Sequence, residues 1–240
     1  MISERRMLKL LCSTDFFWGS DITDAASYLV KSGCEGVVIS TEPPHYFPSL
    51  LHRDKVRALR DFLRSSGVTV VVKSPETDVN IFSSNPYISE ASQRSIEDSI
   101  NLSLYLNADF TVVRPSCSPV RLNYGILMSK LQKLMSGVGR ESYIALELAG
   151  EGSGDIARML RDRRIGLIYV DGMSPEDLLR SERLVGLAIY FRASQPLKII
   201  PGMKTNLPYL LIYPAERRMH RAEDFRRIVF KVKSWRDSLP

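Results

Sequence analysis

The chain has 240 residues, 44% hydrophobic and 25% charged, with a formal net charge of +6. That is ordinary globular composition with enough apolar material for a core, and it excludes a disordered or fibrous chain. No apolar run reaches the roughly 18 residues that span a bilayer, and the apolar patch near the start is too brief for a secretory leader, so a cytoplasmic protein without a membrane segment is expected.

Predicted elements alternate along the chain. LKLLCS (8–13) reads as a strand, DAASYLVKSG (24–33) as a helix stopped by glycine, and GVVIS (36–40) as a second strand. A Pro-rich loop leads to a helix over 53–67, with Val56, Leu59 and Leu63 on one face, and then to a third strand, VTVVVKS (68–74). The spacing of Ile96, Ile100 and Leu104 predicts a long helix over 89–108, followed by the strand DFTVVRPS. Further helix and strand patterns fall at 122–139, 142–148, 154–163 and 165–171. SPEDLLRSERLV (174–185) reads as a helix, LAIYFRAS (187–194) as a seventh strand, PYLLIYPA (208–215) as an eighth, and 222–237 as a closing amphipathic helix. Most strands are continuous Val/Ile/Leu runs, as expected of a parallel sheet buried on both faces. Eight such units in this length predict a closed (β/α)8 barrel as a single domain over 1–240. QPLKIIPGMKTNL shows no helical pattern, so one outer helix is expected to be short or missing between strands seven and eight. An open doubly wound sheet is the alternative.

Cys12, Cys34 and Cys117 have no metal-type spacing and read as reduced, mostly buried thiols. Residues 216–237 hold eight Lys or Arg against four acids. Such a run attracts polyanions or forms a solvated helix face, and the second reading is preferred because no exposed aromatics are expected between the charges.

In a barrel of this kind the site lies at the C-terminal strand ends. Reading off those ends selects Ser13, Ser40, Lys73, Arg114, Glu147, Asp171, Tyr190 with Arg192, and Tyr213. Within strands three to seven the charges fall at that same end each time. Arg114, Arg192, Tyr190 and Tyr213 are the expected ligand contacts, with Glu147, Lys73 and Asp171 as catalytic candidates. Three cations suit an anionic ligand, and the mixed set suits a polyhydroxylated one. Glu147 can act as general acid or base. His45, in TEPPHYFP, is the histidine nearest the expected mouth and a further ligand-contact candidate; His52 and His220 read as surface or capping residues.

The segments KSGCEGVVIS, LRSSGVTVVVKSP and NIFSSNPYISEASQRSIEDSINLSLYLNADFTVVRPS, in that order, resemble the xylose isomerase-like TIM barrels. That superfamily contains sugar isomerases, epimerases and endonuclease IV-type AP endonucleases. IALELAG is similar to its strand ending in a metal-binding Glu, LIYVDGMS to its Asp-containing strand end, and IIPGMK to its Gly-rich loop. The resemblance implies divalent metals held at the strand ends, and carried over residue by residue it keeps only Glu147 and Asp171. Lys73 and Arg114 stand where the family has histidines, Ser174, Tyr190 and Ala193 replace further ligands, and LLIYP lacks the last Glu. Lys and Arg have no acceptor, so they do not coordinate a metal. No cofactor is therefore expected; the alternative is a divalent ion held by Glu147 and Asp171 with water. The expected function is that of a divergent sugar isomerase- or epimerase-like barrel, possessing or lacking catalysis, with a small anionic or sugar-like ligand. The alternatives are a non-catalytic binding barrel and, more weakly, an endonuclease IV-like nucleic-acid binder.

Overall fold

The computed structural model describes residues 8–42, 53–115, 124–148, 153–170, 179, 181–192, 207–215 and 220–238. Eight parallel strands close into a barrel in sequence order. They are β1 (Lys9–Ser13), β2 (Gly36–Ser40), β3 (Thr69–Lys73), β4 (Phe110–Val113), β5 (Ile144–Glu147), β6 (Ile165–Val170), β7 (Leu184–Phe191) and β8 (Tyr209–Pro214). Closure comes from β8 pairing with β1, in the register Leu10 to Leu210 and Cys12 to Ile212. The helices are α1 (Ile22–Lys31), α2 (Arg53–Ser66), α3 (Pro86–Leu106), α4 (Tyr124–Gly137), α5 (Ser153–Met159) and α6 (Ala222–Asp237).

Side chains alternate across a strand, so two apolar shells form. The outer shell joins strand residues such as Leu10, Val37, Val72 and Ile212 to helix residues such as Leu29, Leu63, Ile96 and Phe225. The inner shell fills the barrel with Leu11, Val38, Val71, Val112, Ala145, Ile168, Ala188 and Leu211, one from each strand. Two residues toward the N-terminal end, the inward positions are Lys9, Gly36, Thr69, Phe110, Tyr143, Gly166, Gly186 and Tyr209. Phe110 packs on Tyr143 and Tyr209, with ring centroids 6.5 and 5.1 Å apart, and closes this floor. Gly166 leaves room for the Tyr143 ring, and Gly36 and Gly186 allow close approach of neighbouring strands and side chains. A Cβ on Gly36 would stand 2.7 Å from the Thr69 carbonyl oxygen, and one on Gly166 would stand 2.5 Å from the Tyr143 hydroxyl.

Several boundaries differ from the sequence expectation for local reasons. α3 begins at Pro86 rather than 89, because Asn85 caps it by accepting from Tyr87 N, and proline suits the first turn. Residues 181–183 form a turn and Leu184 and Val185 are strand, so the predicted helix over 174–185 does not run to its expected end. β7 accordingly starts three residues early, at a register shift against Leu167 and Ile168 of β6, and ends at Phe191. A 3-10 turn over Thr14–Phe16, unexpected from the sequence, follows β1 and is capped by Ser13. The region expected to lack a helix, 195–207, lies almost entirely outside the described residues, as does most of 174–180. Among the described residues no helix is long and apolar enough to cross a membrane. Cys12 and Cys34 are buried and free; burial, then the neighbouring Cys34, pushes the Cys12 thiol upward. Cys117 lies outside the described residues.

Candidate functional site

Two residues toward the C-terminal end from the filled middle of the barrel, the inward positions are Ser13, Ser40, Lys73, Arg114, Glu147, Val170, Tyr190 and Tyr213. Period-two geometry thus gathers seven of the residues selected from strand ends into one ring. Lys73, Arg114, Glu147, Tyr190 and Tyr213, its five charged or aromatic members, are largely buried, Lys73, Glu147 and Tyr213 almost completely.

They form one connected network. The Lys73 Nζ donates to the Tyr190 hydroxyl at 3.0 Å, and the Arg114 Nη2 donates to the same oxygen at 2.7 Å. Arg114 Nη2 also pairs with Glu147 Oε2 at 3.0 Å. The Lys73 ammonium stands over the Tyr213 ring at 4.1 Å from its centroid, and Arg114 stands over the Tyr190 ring at 5.1 Å. A sixth member, Glu76, is absent from the strand ends. Its Oε2 accepts from Lys73 Nζ at 3.1 Å, pairs with Arg114 Nη1 at 2.9 Å and accepts from Tyr190 at 3.2 Å. The Tyr190 hydroxyl also lies 3.4 Å from Glu147 Oε2, so one proton serves two carboxylates.

Charge in this ring is locked. Burial opposes the charge on Lys73, but Tyr190, Glu76 and Glu147 more than offset it and hold the ammonium well above the ordinary lysine value. A permanently protonated amine has no lone pair to attack with, so Lys73 is not arranged as a nucleophile. Burial likewise opposes Arg114, and Glu147 and Tyr190 reverse the effect. Burial, then Glu147, pushes both tyrosine hydroxyls up, which keeps them neutral donors at physiological pH.

Acids gather behind the ring, and sequence reasoning missed all three. Glu76 follows Lys73 by three residues, Glu42 follows Ser40 by two, and Asp15 follows Ser13 by two. Glu42 is buried and accepts from the backbone N–H of Glu76 and, at 2.6 Å, of Thr77. Glu76 and Glu42 have no periodic signal because they lie on loops past β3 and β2, and Asp15 lies in the short 3-10 turn past β1. The detectable signal is an acid two or three residues past the strand, beside proline for Glu42 in STEPP and Glu76 in SPET.

Several buried polar atoms at this end have no well-formed hydrogen bond among the described residues: Asp15 Oδ1, Ser40 Oγ, Ser74 Oγ, Arg114 Nε, Glu147 Oε1 and Tyr213 OH, although Tyr213 and Glu147 act on each other. Buried polar groups are normally satisfied, so these atoms call for a further partner: water, another molecule or a segment of the chain beyond the described residues. Arg192 stands apart: it follows β7, is exposed, and makes no ion pair with a described residue. Asp171 and His45 lie outside the described residues, as do His52, Ser174 and Ala193. His220 packs its ring edge on Phe16, centroids 5.4 Å apart.

A divalent ion does not fit the described residues. No group of three or more His, Cys, Asp or Glu among them is placed to hold a metal. Glu76 and Glu147 already face Lys73 and Arg114 within 3.1 Å, so an ion at these carboxylates would meet two fixed positive charges.

No family model matches the chain, and no curated protein matches it. Solved structures do. Similar ones include a 3-keto-D-glucoside 4-epimerase from E. coli, 14% identical with TM-score 0.72, covering 95% of this chain and 99% of that one. A D-allulose 3-epimerase from Methylomonas sp. aligns at 10% identity and TM-score 0.72, over 96% and 98% of the two chains. Endonuclease IV from Thermus thermophilus aligns at 15% identity and TM-score 0.66, over 97% and 100%. The chain has the fold of the xylose isomerase-like TIM barrels. At these identities the likeness concerns the fold, and function has to be argued from the site.

The basic closing segment needs one correction. On α6 an aromatic side chain does stand among the charges: Phe230 is 74% exposed, between Arg226, Arg227 and Lys231. The apolar face of this helix, Phe225, Ile228, Val229, Val232 and Trp235, is buried as its spacing predicts.

Proposed function

We propose that the barrel mouth binds a small, uncharged polyhydroxylated ligand without a metal ion, with Glu147 as its acid–base group. The observation that carries this reading is the buried pair Glu147 Oε1 and Tyr213 OH, which act on each other and have no other hydrogen-bond partner among the described residues. One is an acceptor and the other a hydroxyl, which is what a sugar hydroxyl needs on either side. An anionic ligand, also expected from the sequence, is less well supported, because both buried cations already face carboxylates. In an isomerase- or epimerase-type step, Glu147 Oε1 removes a proton from the carbon beside a carbonyl. The C–H electron pair moves into the enediolate, the neutral Tyr213 hydroxyl stabilises the developing negative oxygen, and the proton returns to carbon. The epimerases of like fold support the substrate class.

The second reading, a non-catalytic binding barrel, is favoured by the degree to which the charged ring satisfies itself. Thermal-shift screening of free ketoses and aldoses, followed by NMR in D2O, separates the two. Catalysis requires exchange of a carbon-bound hydrogen that disappears in Glu147→Gln; binding without exchange selects the second reading. No stabilisation by any neutral sugar, or stoichiometric zinc or manganese in protein purified without chelator, sinks the proposal. The endonuclease-like reading has Phe230 and its neighbouring cations in its favour and no metal cluster among the described residues.

A further inference from the structure

Three donors from three different strands converge on a single oxygen. Lys73 of β3, Arg114 at the end of β4 and Tyr190 of β7 stand 3.1, 2.9 and 3.2 Å from Glu76 Oε2. The donors come from the rigid barrel wall, and the acceptor comes from a loop. Two positive charges and a neutral hydroxyl around one point form a receptor for an oxyanion. The chain supplies its own occupant. Glu76 is also held through its main chain, since its N–H and that of Thr77 both donate to the buried Glu42 carboxylate.

We infer that Glu76 is a built-in anion that closes this oxyanion site to external anions and thereby sets the ligand selectivity of the mouth. A free anion must displace a carboxylate tethered in place, whose effective concentration is that of an intramolecular group. Without Glu76, Lys73 and Arg114 would face, among the described residues of the ring, the one carboxylate of Glu147, and these three groups together would carry a net positive charge. Glu76 therefore separates two kinds of barrel mouth: one that takes uncharged, hydroxyl-rich molecules and one that takes carboxylated or phosphorylated ones. The selectivity for uncharged ligands rests on the function proposed above; the exclusion of anions does not.

The test uses the full chain, with sodium sulfate as probe against sodium chloride at matched ionic strength, read by isothermal calorimetry and thermal shift. Wild-type protein shows no saturable sulfate response. Glu76→Ala binds sulfate at least about tenfold more tightly than wild type. Adding Arg114→Ala to that variant abolishes the gain. Glu76→Gln keeps the side-chain shape and removes only the charge, so it carries the test if the alanine variant does not fold, and it also gains sulfate binding. Wild-type protein that binds sulfate as tightly as either variant overturns the inference. So does a folded variant that gains nothing, or a gain that survives loss of Arg114, which would be an adventitious ion only. Neutral sugars are screened on wild type in parallel. Their failure to bind counts against the proposed function and leaves the sulfate result standing.

Discussion

Arg114 touches Glu76, Glu147 and Tyr190 with its two terminal nitrogens, so its removal leaves two carboxylates facing a single lysine. Breaking a buried pair from one side typically costs about 3–5 kcal/mol. Arg114→Ala is therefore expected to lower unfolding stability by about 3 kcal/mol in urea at neutral pH. Arg114→Lys is expected to recover only part of this, because a single ammonium lacks the fork that reaches both acids. Alkaline pH acts on the same cluster. Lys73 is raised above its ordinary value of 10.5 on folding, so its contribution is complete below that pH and is lost as pH rises toward the folded value. Tyr190 and Tyr213, raised above 10.0, act in the same direction, because the unfolded chain ionises first. Unfolding free energy should fall steeply above about pH 10. Tyr190→Phe, measured over the same range, should show a shallower fall.

Among the elements, the strands were the most legible part of the sequence. Continuous Val/Ile/Leu runs do not depend on distant context, and the two-residue alternation then fixed which charges point inward. Lys73, Arg114, Glu147, Tyr190 and Tyr213 could be found this way because each sits on that alternation. Glu76, Glu42 and Asp15 could not, since a loop or a single 3-10 turn has no period and the return path of its chain is a tertiary fact. The start of β7 was misplaced for a similar reason: SERLV carries helical spacing, and pairing with β6 overrides it. Gly36 shows how tightly one strand position is specified. Its absent side chain lies between the Thr69 carbonyl and the Leu11 side chain, and the carbonyl cannot rotate away. Gly36→Ala is expected to cost about 1–3 kcal/mol by forced backbone displacement. Unchanged stability in denaturant would show that β2 and β3 can separate locally.

For the whole molecule, closure depends on joining the two ends of the chain. Glu35, just before β2, accepts from Leu10 N of β1 at 2.7 Å and pairs with Arg236 of α6 at 2.7 Å. Arg236 also donates to the Leu8 carbonyl, and Phe225 of α6 packs on Phe16 and Phe17. The last helix thus covers the strand that seals the barrel. Arg236→Ala and Glu35→Ala are each expected to cost about 1.5–3 kcal/mol, the range for a hydrogen bond to a charged group. A double-mutant cycle should give a coupling of at least about 0.5 kcal/mol; additive losses would mean the two residues act separately.

The fully buried middle layer, Leu11 to Leu211, backed by Phe110, Tyr143 and Tyr209, makes the barrel a well rather than a tube. Among the described residues, the buried polar atoms of the upper ring, Glu147 Oε1 and Tyr213 OH among them, lie on the far side of this floor, so a ligand has to come to them from the mouth side. Any molecule that seats there removes water from the entire ring in one event and has to leave by the path it entered. Occupancy should then slow deuteration of hydroxyl and amide protons around the whole circumference together, from β2 to β8, instead of only beside the ligand.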